Sequence, residues 1–146
     1  MNPPEQITAF KEEYYFFYGS LQDTSCLAKI LKRPHRLELR PARLVGWTYK
    51  MWGDYPALIS GSQGNTVHGM ACEIQTITER DRLIQYETTA YKLQDCWIQL
   101  DRGLLVRGKT FVWDGDSEAL HDGIFDLKDW ILSQRDGRCV EKGIQR

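Results

Sequence analysis

The sequence predicts an α+β fold, a single domain whose sheet curls toward a barrel. Two observations carry this. Roughly six or seven strand-like segments follow one another mostly through short turns, with about three helix-like segments between them; that order favours an antiparallel or mixed sheet over a doubly wound parallel one. The chain has 146 residues, 42% hydrophobic and 27% charged, which suits one packed core and is short for two domains.

Residues 1–13 are polar and contain prolines, and are expected to form a flexible arm. Tyr14–Tyr18 (YYFFY) is a strand by propensity rather than by alternation. It stops at Gly19-Ser20. Asp23, Thr24 and Ser25 are candidate N-caps for a helix carrying Leu27, Ile30 and Leu31, which Pro34 closes. Leu37 to Val45 is extended, and Pro41 within it suggests an edge or a bulge. Gly46–Trp52 is a strand, Gly53–Pro56 a turn, and Ala57–Ile59 a short apolar segment. Gly61–Asn65 is a turn and Val67–Ile74 a strand with Val67, Gly69, Ala71 and Glu73 on one face. Thr78 is a candidate cap for a helix with Glu79 and Asp81 in its first turn and Leu83 and Tyr86 on its apolar side. Tyr91–Leu100 and Leu104–Trp113 form a hairpin across Asp101-Arg102-Gly103. Asp114–Gly123 is a polar connection, and Asp126 caps a last helix with Leu127, Trp130 and Ile131. The single domain therefore spans 14–136, followed by a polar tail, 137–146.

Lys+Arg total 19 and Asp+Glu 20, so the basic excess of a non-specific nucleic-acid binder is missing. Mean hydropathy is −0.49 and no apolar run approaches ~18 residues, so no membrane span is expected. The first residues have neither the basic start nor the apolar stretch of a secretory signal, which leads to the expectation of a cytoplasmic chain with reduced cysteines. Cysteines at 26, 72, 96 and 139 form no C-x-x-C, and Cys72 and Cys96 fall in apolar strands as buried thiols. Histidines at 35, 68 and 121 form no metal-binding spacing, so no metal is expected. Ser20 with His68 or His121 lacks the G-x-S-x-G of a hydrolase elbow, and the tryptophans sit at core-packing positions rather than on a stacking platform.

Two places could carry chemistry. In Tyr18-Gly19-Ser20-Leu21, a Gly-Ser loop between strand and helix offers backbone N–H groups and a helix N-terminus to an anion such as a carboxylate. A plain tight turn is the alternative. Glu87 lies between a helix and a strand among aromatic and small residues. Part-buried there, its charged form would be disfavoured and it could serve as a general base; a solvated glutamate at a helix end is the alternative.

These residues match one family in register. FFYGSLQD (16–23) resembles the F-V-Y-G-[ST]-L signature of the γ-glutamylcyclotransferase superfamily, in its AIG2-like branch. V-G-W (45–47), Y-P-A-L-I (55–59) and V-H-G-M (67–70) follow. L-I-Q-Y-E-T-T-A-Y (83–91) is similar to the family's L-D-x-[FY]-E-x-x-x-Y, and F-V-W-D-G…L-H-D-G-I-F-D (111–126) to its ending. The resemblance runs from about Tyr14 to about Trp130. It implies a small mixed β-barrel with flanking helices and a γ-glutamyl small molecule as substrate, with no cofactor. Tyr18, Gly19, Ser20 and Leu21 would hold the α-carboxylate end, with Gln22 and Asp23 as extensions of the loop. Glu87 would accept the proton, and Tyr91 would be a wall of the pocket. Loop and glutamate would share one pocket, the main one. Ile84 stands where the motif has Asp, Lys92-Leu93 where an Arg often follows, and Phe125-Asp126 where the ending has W-D. These departures bear on the leaving group more than on the reaction. A barrel of this kind that binds a γ-glutamyl or carboxylate ligand without turnover, as a sensor or stress-response module, is the competing reading; Glu87 argues against it.

Overall fold

A computed structural model describes residues 10–34 and 37–133. The expectations for most of the N-terminal arm and for the polar tail fall outside these residues. Five strands close into a barrel in the order β1–β5–β2–β6–β7: β1 (Glu13–Phe17), β2 (Arg40–Val45), β5 (Thr66–Ile74), β6 (Tyr91–Leu100) and β7 (Leu105–Trp113). All neighbours are antiparallel except β1 and β7, whose parallel pairing (Tyr14 with Gly108 through Phe16 with Thr110) closes the barrel.

The lack of alternation in the first strand has a simple cause. Phe16 and Tyr18 belong to one core cluster, with Leu44, Val67, Ala71, Ile98 and Val112, while Tyr15 and Phe17 belong to a second one shared with the helices. A strand covered on both faces needs apolar residues on both. Its neighbours approach closely: a Cβ at Gly69 would fall 2.2 Å from Phe17 O, and one at Gly108 2.3 Å from Tyr14 O. Glycine is what permits those contacts. β5 follows its expected inward face at Val67 and Ala71, but Glu73 is exposed while Cys72 and Ile74 are buried in the second cluster. Its far end, like β1, packs on both sides. Pro41 lies outside the short pairing of β2 with β6, which joins only Ala42 to Leu100 and Arg43 to Gln99, so the missing N–H costs that ladder nothing.

A separate hairpin, β3 (Trp47–Trp52) and β4 (Tyr55–Ser60), turns on Gly53-Asp54 alone. Tyr55 and Pro56, expected in the turn, are paired with Trp52 and Met51 instead. The connection after β7 is more ordered than its polarity suggests. It includes a single turn at Ser117–Ala119, and His121 exchanges both backbone hydrogen bonds with Met51, at 2.7 and 2.9 Å.

Three helices flank the barrel: α1 (Thr24–Leu31), α2 (Ile77–Glu87) and α3 (Leu127–Ser133). Asp23 caps α1 by accepting from Cys26 N–H, and Asp126 accepts from Asp129 N–H in the first turn of α3. In α3 Trp130 is buried and Ile131 is largely exposed. The cap of α2 is Thr76 rather than Thr78, because the helix starts two residues earlier than its charge pattern suggests. Thr76 Oγ1 accepts from Glu79 N–H, and Glu79 Oε1 reaches back to Gln75 N–H, a reciprocal closure of the first turn. Cys72 and Cys96 are buried free thiols. Cys26 is not: it is disulfide-bonded, which corrects the expectation that every cysteine is reduced. No helix among the described residues is long and apolar enough to cross a membrane.

Candidate active site

β1 delivers the chain into a tight turn at Ser20–Gln22 that leads directly into α1. Gln22 N–H closes on Gly19 O and Asp23 N–H on Ser20 O, both at 3.0 Å. The amides of Gly19, Ser20 and Leu21 stand ahead of these two. Gly19 sits in a tight space: a Cβ there would meet Pro56 side-chain carbons at 3.0 and 3.2 Å. Strand β4 therefore presses directly on the loop.

Glu87 is the last residue of α2, not a residue beyond it, and is only 3% exposed. A negative charge at a helix C-terminus is unfavourable, and burial removes the compensation of water. The next residue, Thr88, turns the chain out of the helix at φ 68°, a conformation that a β-branched residue rarely adopts. It accepts from Ala90 N–H through its own hydroxyl.

Buried tyrosines tie this helix end to the rest of the site. Ser20 Oγ and Tyr86 Oη are 2.7 Å apart, both inaccessible or nearly so. Tyr18 O–H donates to Phe111 O at 2.7 Å, and its oxygen accepts from Leu58 N–H at 3.1 Å. Tyr91 O–H donates to Pro56 O at 3.1 Å. Burial pushes all three phenols upward in pKa, and the charge of Glu87 pushes each further. They are neutral donors at physiological pH. Beside Tyr91 the Trp52 and Trp113 rings pack with their centroids 5.0 Å apart.

The structure brings Tyr18, Gly19, Ser20, Leu21 and Glu87 around one cavity, closed by Phe16, Phe17 and Phe111. Its volume is about 10 Å³, room for roughly one water. It is not the main pocket among the described residues: a far larger cavity, about 770 Å³, lies along Arg33, Leu39, Arg40 and Cys72. Three sequence candidates sit differently. Asp23 spends its carboxylate capping α1, and Gln22 folds back to donate to Gly19 O at 3.3 Å. Tyr91 does not line the cavity and is buried with its hydroxyl on Pro56 O. Tyr86 and Phe111 were hidden in the sequence as core residues and Pro56 as part of a turn; the adjacency of Tyr86 to Glu87 is the one local signal for the first. Among the described residues, no three His, Cys, Asp or Glu side chains cluster as metal ligands.

The profile of the gamma-glutamyl cyclotransferase, AIG2-like family matches residues 15–132. The chain belongs to this family. A protein of Arabidopsis thaliana solved in solution is 21% identical, with 94% of this chain and 93% of that one covered at a TM-score of 0.65. A structure described as a gamma-glutamyl cyclotransferase shares 15% identity over 72% of this chain and 68% of its own, TM-score 0.59. A yeast gamma-glutamyl cyclotransferase specific to glutathione shares 15% over 76% and 72%, TM-score 0.55. Among curated proteins no significant match is found. The five-stranded mixed barrel with three helices is thus the family's fold.

Proposed function

We propose that the chain is a γ-glutamylcyclotransferase that cyclises a γ-glutamyl amide to 5-oxoproline and releases an amine or amino acid. The observation that supports this best is the convergence of Glu87 and the Tyr18–Leu21 loop on one buried cavity. A γ-glutamyl amide carries its own nucleophile, the α-amine, and its own electrophile, the γ-carbonyl. Attack of the nitrogen on that carbon closes a five-membered ring, and the C–N bond to the leaving amine then breaks. The protein has to fold the substrate and move protons. Holding the α-carboxylate on the loop amides orients the amine, and intramolecularity of this kind supplies up to roughly 7–11 kcal/mol. Glu87 takes a proton from the α-ammonium, which otherwise cannot attack, and returns it to the departing nitrogen; the ring nitrogen gives up its second proton as the lactam forms, and the released amine takes it up. A carboxylate whose charged form is disfavoured by burial suits that exchange. Binding requires the loop to part from Pro56, since the cavity as it stands holds no more than a water.

The test is a panel of γ-glutamyl dipeptides, glutathione and γ-glutamyl-ε-lysine, with detection of 5-oxoproline. Release from at least one is expected. Binding of these ligands without release from any would favour the non-catalytic binding module.

A further inference from the structure

The Ser20–Tyr86 pair has a direction that the packing decides. Each hydroxyl can donate one hydrogen and accept others. Tyr86 is 2% exposed, it does not border the cavity, and among the described residues its hydroxyl has Ser20 Oγ as its hydrogen-bond partner. If Ser20 donated, the phenol hydrogen would be left buried without an acceptor, which is costly. Ser20 is fully buried from solvent but borders the cavity, so its hydrogen has somewhere to go. The phenol is also the more acidic hydroxyl, and burial keeps it protonated.

Resting on the functional reading above, we propose that Tyr86 is a positioning residue. It donates to Ser20 Oγ and so turns the Ser20 hydroxyl hydrogen into the cavity, as a donor to the carboxylate of the ligand that the loop holds. Glu87, the next residue on the same helical turn, is kept in register with that donor because Tyr86 pins the helix end to the loop. The seat for an anion is then built from a side-chain hydroxyl as well as from amides.

The test is a double-mutant cycle read by calorimetry with 5-oxoproline, beside thermal unfolding. Tyr86→Phe keeps the ring and its packing. It should weaken binding about ten-fold, the usual scale for a hydrogen bond to a charged group. Ser20→Ala should weaken binding at least as much. The double variant should bind no worse than Ser20→Ala alone, because Tyr86 acts through Ser20. Additive losses would mean that Tyr86 only supports the fold, and would overturn the proposal, as would a Tyr86→Phe variant that binds like wild type. A wild type that does not bind 5-oxoproline at all would overturn the functional reading and this proposal with it.

Discussion

Helix α2 buries two glutamates, one at each end, and they could hardly be housed more differently. Glu79, in the first turn, faces Arg33: Nε to Oε2 at 2.6 Å and Nη2 to Oε1 at 2.8 Å, a two-pronged ion pair that is almost fully buried. Arg33 also donates to Glu73 O, and Glu79 accepts from Gln75 N–H. The positive end of the helix lies beside it. Burial works to raise the pKa of Glu79, but the guanidinium and the amide more than offset it, so the carboxyl is held below its usual range. Glu87, about 12 Å further along the helix axis, has the negative end of the helix and a ring of phenols. A buried charge matched on every side is a strut. Glu87 is placed at the unfavourable end of the helix and beside a cavity, where the proposed function needs a base. Changes near Glu79 should therefore register in stability, and changes near Glu87 in chemistry.

The largest expected effect on the fold is that of Arg33→Ala. It strands the Glu79 charge in the interior and should lower the free energy of unfolding by about 3 kcal/mol in urea titration. Cyclisation per folded molecule should remain. Equal loss of both would erase the distinction between the two ends.

Gly19→Val is the matching change on the other side. Its side chain meets Pro56 and crowds the loop, so 5-oxoproline binding should be lost in calorimetry while circular dichroism shows most of the fold intact. Unchanged affinity would remove the loop from the site.

Acid gives a smaller and graded comparison. The folded pKa of Glu79 lies below its unfolded value, so its contribution is complete above the unfolded pKa and fades as pH falls through the folded one. The stability gap between wild type and Glu79→Gln should be constant near neutrality and close in acid. A gap that widens in acid would contradict the pairing. The smallest effect should come from replacing Cys72 and Cys96 by Ala. Burial pushes the Cys96 thiol up to about 12 and raises that of Cys72, so neither is a thiolate near neutral pH, and activity should survive apart from packing losses.

Much of this was legible in the residues. The aromatic strand, the Gly-Ser loop, the cap of α1 and the β6–β7 hairpin are local features, and local chemistry specifies them. Residues of the YGSL and Glu87 motifs line one small cavity. What stayed hidden depends on distance along the chain. Arg33 and Glu79 meet across 46 positions, and Ser20 and Tyr86 across 66. Nothing in the spacing announces that Tyr86, apolar by its helical position, turns its hydroxyl to the loop. Asp23 read both as a cap and as an extension of the loop, and the hydrogen bond from Cys26 N–H makes it the cap. Thr78 was the expected cap; Thr76 has the same chemistry two residues earlier, and the reach of Glu79 back to Gln75 accompanies that earlier start. The parallel closure of β1 on β7 follows from the whole barrel and from no single segment.

The central claim is that Glu87 moves the proton, and one measurement addresses it: 5-oxoproline release by wild type and Glu87→Gln on a substrate that the wild type cleaves. Glutamine keeps the size and removes the basic oxygen. The account predicts a fall in kcat of roughly 10² or more with substrate binding retained or tightened. A Glu87→Gln enzyme within a few-fold of wild type would contradict it.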